Sequence, residues 1–158
     1  SSSSSSSVSV SGKRIGDDGD GDSASGACAA SGAASVCMVA SPPTFDPCLG
    51  DICATWAAGA VLAMASRRLV VGALGRCLQQ LGATHVCTTP TLFATLAVSA
   101  RDLPRLRVVA LGGEPTPRRL ASEWAGRVQL ANTYGVTECC VYQSFHAVSP
   151  ASSSSSSS

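Results

Sequence analysis

The alternation of short β-prone runs with longer stretches of helical periodicity constrains the fold of this chain most strongly. β-prone runs of four to six residues stand at 36–40, 60–65, 84–88 and 108–111. Each is followed by residues whose apolar positions recur at helical spacing. Strands separated by helices pair in parallel and carry the helices on their faces. The sequence therefore predicts an α/β fold with a mostly parallel sheet and helices on its faces.

Capping residues mark the ends of several predicted helices. Asp46 and Pro47 are typical of an N-cap followed by a first helical turn, and Thr89 and Pro90 repeat that arrangement later in the chain. Helices are expected to end at Gly59 and at Gly82. A fourth helix is predicted from 114–115 toward 124.

Low-complexity sequence limits how much of the 158-residue chain folds. Both ends are runs of serine, and residues 8–34 are mostly Ser, Gly, Ala and Asp. Segments of this composition lack the apolar surface that a core requires. Patterns within 12–24 that imitate a phosphate loop, a dinucleotide fingerprint or a calcium loop each lack a required residue or a preceding strand. We expect residues 1–34 and 151–158 to be disordered and 35–150 to form the folded domain.

Composition argues against several classes of partner. The net charge is +1, and the arginine pairs at 67–68 and 118–119 are interpreted as solvated ends of elements, so no surface for nucleic acid is expected. The longest apolar stretch, 54–65, is shorter than the roughly 20 residues of a membrane-spanning helix. A cytoplasmic location is the default expectation. The eight cysteines include no C-x-x-C pair and are expected to be free, mostly buried thiols. They are Cys28, Cys37, Cys48, Cys53, Cys77, Cys87, Cys139 and Cys140.

Residues 132–138, Asn-Thr-Tyr-Gly-Val-Thr-Glu, concentrate more chemical functionality than any other run. They are predicted to form a loop between strands at 127–130 and 141–145, with Gly135 supplying backbone freedom. A tyrosine ring can stack on a base, a threonine hydroxyl can donate to phosphate, and a carboxylate can hold Mg²⁺. A polar turn with a packed tyrosine and a solvated glutamate is the alternative interpretation of the same residues.

Three separated segments resemble the amino-acid adenylation domains of nonribosomal peptide synthetases, in the adenylate-forming superfamily. Residues 132–138 resemble the family's Asn-x-Tyr-Gly-x-Thr-Glu loop, with Val136 where the family has proline. Residues 45–60 resemble its Phe-Asp segment, with Cys48 and Asp51 in place of the usual serine and glutamate. Residues 108–115 match its apolar-Gly-Gly-Glu run. The resemblance implies part of the large N-terminal domain of an adenylate-forming enzyme.

The resemblance also implies that ATP and Mg²⁺ are used. Tyr134 would stack on adenine and Asn132 would line the adenine pocket. The catalytic contacts would come from Thr137 at the α-phosphate and Glu138 at Mg²⁺. Further nucleotide-binding positions would be Gly112, Gly113, Glu114 and Gly135.

An amino acid is the substrate that the resemblance implies. Asp46 would bind its α-amino group, although a helix cap alone would also explain an aspartate at this position. Tyr142 would narrow the side-chain pocket. The residues expected to line that pocket are Cys87, Ala110, Gly112, Thr133, Val141 and Tyr142.

Other functional segments of the family have no counterpart in this sequence. These are the phosphate-gripping Thr-Ser-Gly loop, the ribose-binding aspartate, the hinge and the small domain with its catalytic lysine. We therefore expect a central fragment that gives no amino-acid-dependent exchange of pyrophosphate into ATP by itself, with a peptidyl-carrier domain as partner in the full-length protein. A non-catalytic remnant serving as an interaction module is the alternative. An acyl-CoA ligase is disfavoured, because Asp46 would find no ammonium group on a fatty acid.

Overall fold

The computed structural model of the protein describes residues 9–11 and 34–150. Within these residues strands and helices alternate, as the sequence pattern predicts. The strands are β1 (Ser9–Ser11), β2 (Val36–Val39), β3 (Val61–Met64), β4 (His85–Thr88), β5 (Val108–Gly112), β6 (Gln129–Tyr134) and β7 (Ser144–Ala147). The helices are α1 (Pro47–Ala57), α2 (Arg67–Leu81), α3 (Pro90–Ala94) and α4 (Arg118–Trp124), with single 3₁₀ turns at Ala100–Asp102 and Thr137–Cys139.

The strands form one sheet in the order β1-β3-β2-β4-β5-β6-β7. The five central strands are parallel, and the two edge strands β1 and β7 are antiparallel to their neighbours. This confirms the prediction of an α/β fold with a mostly parallel sheet. β1 falls in the segment 1–34 that was expected to be disordered; the remainder of 1–33 and residues 151–158 lie outside the described residues.

The main hydrophobic core lies between the sheet and helices α2, α3 and α4. Its central contact joins Phe93 and Trp124, whose ring centroids are 4.7 Å apart at an interplanar angle of 64°. Leu74 of α2 and Leu111 of β5 are fully buried in the same cluster. Three buried apolar residues lie outside this cluster, and they mark the opposite face of the sheet, where α1 packs: Val39, Cys48 and Ala131.

Three predicted helix boundaries agree with the structure. The Thr89 hydroxyl accepts a hydrogen bond from the Leu92 amide at 3.2 Å and caps α3. Gly82 ends α2 in the left-handed conformation at φ 59°, and Gly59 follows α1 at φ 60°. These positions favour glycine because a Cβ atom is strained at positive φ.

Two helix predictions were wrong in detail. Asp46 precedes α1, but its side chain makes no capping hydrogen bond and its backbone is already helical. The fourth helix begins at Arg118 rather than at 114–115. Glu114, which follows β5, instead accepts hydrogen bonds from the backbone amide and the hydroxyl of Thr91 in α3. A tertiary contact thus uses residues that the local sequence assigned to a helix start.

The predicted loop at 132–138 was also placed wrongly in part. Asn132, Thr133 and Tyr134 belong to β6, since they pair with β5 on one side and β7 on the other. The strand expected at 141–145 is β7, Ser144–Ala147. It starts later because Cys140 and Val141 have left-handed backbones at φ 63° and 67°, which interrupt an extended strand.

All seven described cysteines are free thiols, as predicted, and Cys28 lies outside the described residues. The expectation that most are buried was wrong, because only Cys48 and Cys77 are buried, whereas Cys53, Cys139 and Cys140 are exposed. Over residues 9–11 and 34–150, none of the helices has both the length and the apolar character to cross a membrane.

Candidate functional site

A cavity of about 460 Å³ opens at the carboxyl ends of the parallel strands. β2 leads into α1 on one face of the sheet, whereas its neighbour β4 leads into α3 on the other. Connections that leave in opposite directions open a crevice between neighbouring strand ends, and this is where open α/β sheets bind ligands. The volume lies in the range of small-molecule sites.

The cavity is lined by residues of β4, β5 and β6 and by the segments that follow all five parallel strands. Ten of the residues that the sequence predicted for the site line this cavity: Asp46, Cys87, Gly112, Gly113, Glu114, Thr133, Gly135, Thr137, Val141 and Tyr142. Four other predicted site residues lie outside the lining: Ala110, Asn132, Tyr134 and Glu138.

A hydrogen bond joins two of the predicted segments across the cavity mouth. The Thr137 hydroxyl donates to Oδ1 of Asp46 at 3.3 Å, although 91 positions separate the two residues in the chain. The Thr137 side chain is exposed to solvent, and Asp46 is partly buried. The Asp46 carboxylate is therefore directed toward the 132–138 segment rather than toward the backbone of α1. Glu138 follows Thr137 in the same 3₁₀ turn and is also exposed.

Strand β6 separates two groups of predicted site residues. Successive strand residues face opposite sides of a sheet, so Thr133 faces one side and Asn132 and Tyr134 face the other. Thr133 lies on the α1 side, along with Cys87 and Ala110, which are paired in register on β4 and β5. Asn132 lies on the α4 side, where its Oδ1 accepts from the Thr116 hydroxyl at 3.0 Å. Tyr134 is 62% exposed at the end of the strand.

The segment 139–143 folds back over the end of β6. The Gln143 amide side chain accepts from the Val136 backbone at 2.7 Å and donates to the Cys139 carbonyl at 2.6 Å. A Cβ atom on Gly135 would overlap the Val141 carbonyl oxygen, so only glycine permits this close approach. The fold-back carries Val141 and Tyr142 into the cavity wall.

Tyr142 reaches from the β6 side of the cavity to β4. Its hydroxyl lies 3.0 Å from the Cys87 sulfur, in a hydrogen bond that either group can donate. Burial raises the pKa of the Cys87 thiol to about 12, and burial likewise raises the pKa of the Tyr142 phenol. Both groups are consequently neutral at physiological pH.

A buried carboxyl lies behind this wall. Asp51 of α1 is 7% exposed, and its Oδ2 atom has no hydrogen-bond partner among the described residues. Burial raises the pKa of Asp51 to about 7. The nearby Asp51 carboxylate contributes to the raised pKa of the Cys48 and Cys87 thiols, after burial itself.

The glycines at the end of β5 allow the strand ends to approach closely. A Cβ atom on Gly112 would overlap the Thr133 hydroxyl, and Gly113 has a left-handed backbone at φ 80°. Residues 112–114 therefore present mainly backbone to the cavity, with the Glu114 carboxylate held by Thr91.

Arg67 lines the cavity, although the sequence pattern did not identify it as a site residue. It is the first residue of α2, and its guanidinium donates to the Ala40 carbonyl at 3.0 Å, at the end of β2. The interpretation as a solvated helix end was incomplete, because the side chain also lines the cavity. Its position directly after the β3 run was the available signal, since residues that follow parallel strands meet at one edge of the sheet.

The oxygen atoms near the mouth of the cavity suit a hard cation. Within the described part of the chain, no group of three His, Cys, Asp or Glu side chains could enclose a metal ion. Mg²⁺ commonly takes one or two protein carboxylates and completes its octahedron with phosphate and water. The exposed carboxylate of Glu138 and the adjacent Thr137 hydroxyl are compatible with that mode of binding.

Comparison with known proteins identifies the family. The family model described as AMP-binding enzyme matches residues 22–157. The chain belongs to this family. Its relatives include the nonribosomal peptide synthetase sidN of Epichloe festucae, 36% identical over 111 residues, and GRA1 of Gibberella zeae, 39% identical over 100 residues. These alignments cover 70% and 63% of this chain but only 2% and 1% of the respective relatives.

A solved adenylation domain has the same fold. The Vibrio cholerae adenylation domain AlmE, in complex with glycyl-adenosine-5'-phosphate, superposes with a TM-score of 0.68 at 23% identity. The superposition covers 76% of this chain and 24% of that structure. This chain therefore has the architecture of a part of an adenylation domain, as the sequence motifs predicted.

Proposed function

We propose that this chain is the part of an ATP-dependent ligase that activates an amino acid as its aminoacyl-adenylate. Membership of the AMP-binding family and similarity to nonribosomal peptide synthetases support this class of reaction. The observation that carries the proposal is the hydrogen bond between Asp46 and Thr137, because it brings the expected ammonium-binding group beside the expected phosphate-binding group.

In the proposed reaction, a carboxylate oxygen of the amino acid attacks the α-phosphorus of ATP. The bond from that phosphorus to the bridging oxygen breaks, and pyrophosphate leaves with the electron pair. Asp46 would hold the α-ammonium group and thereby position the carboxylate next to Thr137. The Thr137 hydroxyl would then donate to an α-phosphate oxygen. Positioning of this kind supplies a large part of the catalysis when two substrates must meet.

The nucleotide would lie along the carboxyl end of β6. The Tyr134 ring is largely exposed and offers a face on which adenine could stack. Asn132 lies on the same side of the sheet, near the start of α4. Mg²⁺ held by Glu138 would neutralise phosphate charge. Backbone contacts to the nucleotide are proposed for Gly112, Gly113, Glu114 and Gly135.

The partners and compartment follow from the same proposal. A peptidyl-carrier domain would accept the activated amino acid in the full-length protein, as expected for relatives of nonribosomal peptide synthetases. A cytoplasmic location is proposed, since it supplies ATP and keeps the seven described cysteines reduced.

Calorimetric titration of Mg·ATP tests this proposal. We expect the 158-residue chain to bind Mg·ATP and the Glu138→Ala variant to bind it about tenfold more weakly, the effect of losing one charged contact. Glu123→Ala removes an exposed carboxylate of α4 and serves as the matched control, with unchanged affinity. Weak binding that Glu138→Ala leaves unaltered would contradict the proposal and favour a non-catalytic scaffold.

A further inference from the structure

We propose that the amino acid taken by this site has a small side chain without negative charge. The inference rests on the proposed function and concerns the wall of the cavity that Val141 and Tyr142 form. Tyr142 and Val141 occupy the space between α1 and the sheet, on the side where a substrate side chain would enter.

Tyr142 crosses the α1 face of the sheet. β5 lies between β4 and β6, so a phenol that starts beyond β6 and reaches Cys87 on β4 passes over β5. Ala110 is the β5 residue in register with Cys87, and its small side chain leaves room for the ring. The ring therefore takes up volume above β5 that a larger substrate side chain would need.

The absence of a side chain on Gly50 of α1 allows this arrangement. A Cβ atom there would lie 3.1 Å from Cγ1 of Val141 and 3.3 Å from Cε2 of Tyr142. Both contacts are tighter than ordinary van der Waals separation, so the two side chains are packed directly against the helix. The ring cannot move toward α1 to enlarge the pocket.

The backbone that carries Tyr142 is also restrained. Gln143 joins the Val136 amide and the Cys139 carbonyl, and the Tyr142 amide donates to the Cys140 carbonyl at 2.8 Å. The Val141 carbonyl lies directly against Gly135, so this backbone cannot move closer to the end of β6. Opening the pocket would require several of these contacts to break together.

The ionisable groups around the Tyr142 end of the pocket are acidic, since the Asp51 and Asp46 carboxylates contribute, after burial, to the raised pKa of the Tyr142 phenol. The thiol and phenol there are neutral, and the Asp51 carboxyl lies buried behind them. The Asp46 carboxylate is assigned to the α-ammonium group, and Glu114 is engaged by Thr91. Arg67 lies after β3, with its guanidinium on the Ala40 carbonyl. An anionic side chain placed against Tyr142 would lose its hydration beside these carboxyls without gaining an opposite charge.

Binding of aminoacyl-sulfamoyl-adenosines to the 158-residue chain tests the inference. We expect the glycyl analogue to bind at least tenfold more tightly than the leucyl analogue, since misfit of a few carbon atoms costs about 10- to 200-fold. Tyr142→Ala should abolish that preference by opening the space above β5. Tyr142→Phe keeps the ring and loses only the Cys87 hydrogen bond, so it should retain the preference.

A second variant keeps the test valid if Tyr142→Ala does not fold. Gly50→Ala would push Val141 and Tyr142 outward by a few tenths of an ångström and should weaken the leucyl analogue further. Equal binding of the glycyl and leucyl analogues to the wild-type chain, with AMP binding intact, would overturn the inference alone. Failure of AMP and every analogue to bind would overturn the proposed function and the inference with it.

Discussion

At the scale of single residues, Asp51 shows how burial changes the chemistry of a common side chain. It stands where the adenylation-domain segment that residues 45–60 resemble usually has glutamate. The side chain lies under the cavity wall, and its Oδ2 atom has no hydrogen-bond partner among the described residues. Desolvation disfavours its charged form and raises its pKa from 3.8 to about 7. The folded state therefore binds more protons than the unfolded chain between about pH 4 and pH 7.

This difference in proton binding predicts the sign of a pH effect. The free energy of unfolding should fall as pH rises through that window, by at most about 4 kcal/mol. Asp51→Asn should flatten the dependence and be more stable than the wild type at pH 8. Urea unfolding at pH 5 and pH 8 measures this. Asp102→Asn is a control in which the pH effect on stability has the opposite sign. Hydrogen bonds from Ser99 lower the pKa of the exposed Asp102, so its contribution to the free energy of unfolding rises with pH. A wild-type chain that is more stable at pH 8 than its Asp51→Asn variant would refute the account.

Gly135 has a steric role that is independent of catalysis. Gly135→Ala should displace the 139–143 segment, because its Cβ would overlap the Val141 carbonyl oxygen. We expect a loss of stability of about 1–3 kcal/mol and further exposure of Tyr142, which is already 38% exposed. Urea unfolding and tyrosine fluorescence measure these two effects. Gly72→Ala, in α2 with open space around its Cβ, is the matched control and should be neutral or slightly stabilising. Equal losses of stability in the Gly135→Ala and Gly72→Ala variants would contradict the close packing of Gly135 against Val141.

At the scale of elements, local signals predicted some boundaries and tertiary contacts decided the others. Thr89, Gly82 and Gly59 act through their own backbone neighbours, so the sequence alone predicts their roles. The start of α4 and the division between β6 and β7 depend on residues distant in the chain. Neither the Thr91–Glu114 contact nor the fold-back of 139–143 has a signature in a short window of sequence.

The Thr89 cap allows a direct test at this scale. Thr89→Ala removes the acceptor for the Leu92 amide and should cost about 1 kcal/mol in the free energy of unfolding. Ser122→Ala removes an exposed hydroxyl that donates to the Arg119 carbonyl within α4, and it should change stability by less than about 0.5 kcal/mol. Chemical denaturation of both variants gives the comparison. A Thr89→Ala chain as stable as the Ser122→Ala chain would show that the cap contributes nothing.

At the scale of the whole molecule, the parallel order of the sheet produces the site. Its strands bring their carboxyl ends to one edge, so segments around 46, 112 and 137 meet there without being close in sequence. The sequence motifs predicted which segments would meet, and the Asp46–Thr137 hydrogen bond shows two of them in contact. Motifs could not predict that β6 would place Asn132 and Thr133 on opposite faces, because that depends on where the strand ends.

The effect of Asp46→Asn on two ligands tests the central claim most directly. If Asp46 and the 132–138 segment serve one ligand, the substitution should weaken the glycyl-sulfamoyl-adenosine complex by about 10- to 100-fold and leave AMP affinity unchanged. The acetyl analogue, which lacks the ammonium group, should bind equally to both chains. Equal weakening of AMP and the glycyl analogue, or no weakening of either, would contradict the claim that these segments form one aminoacyl-adenylate site.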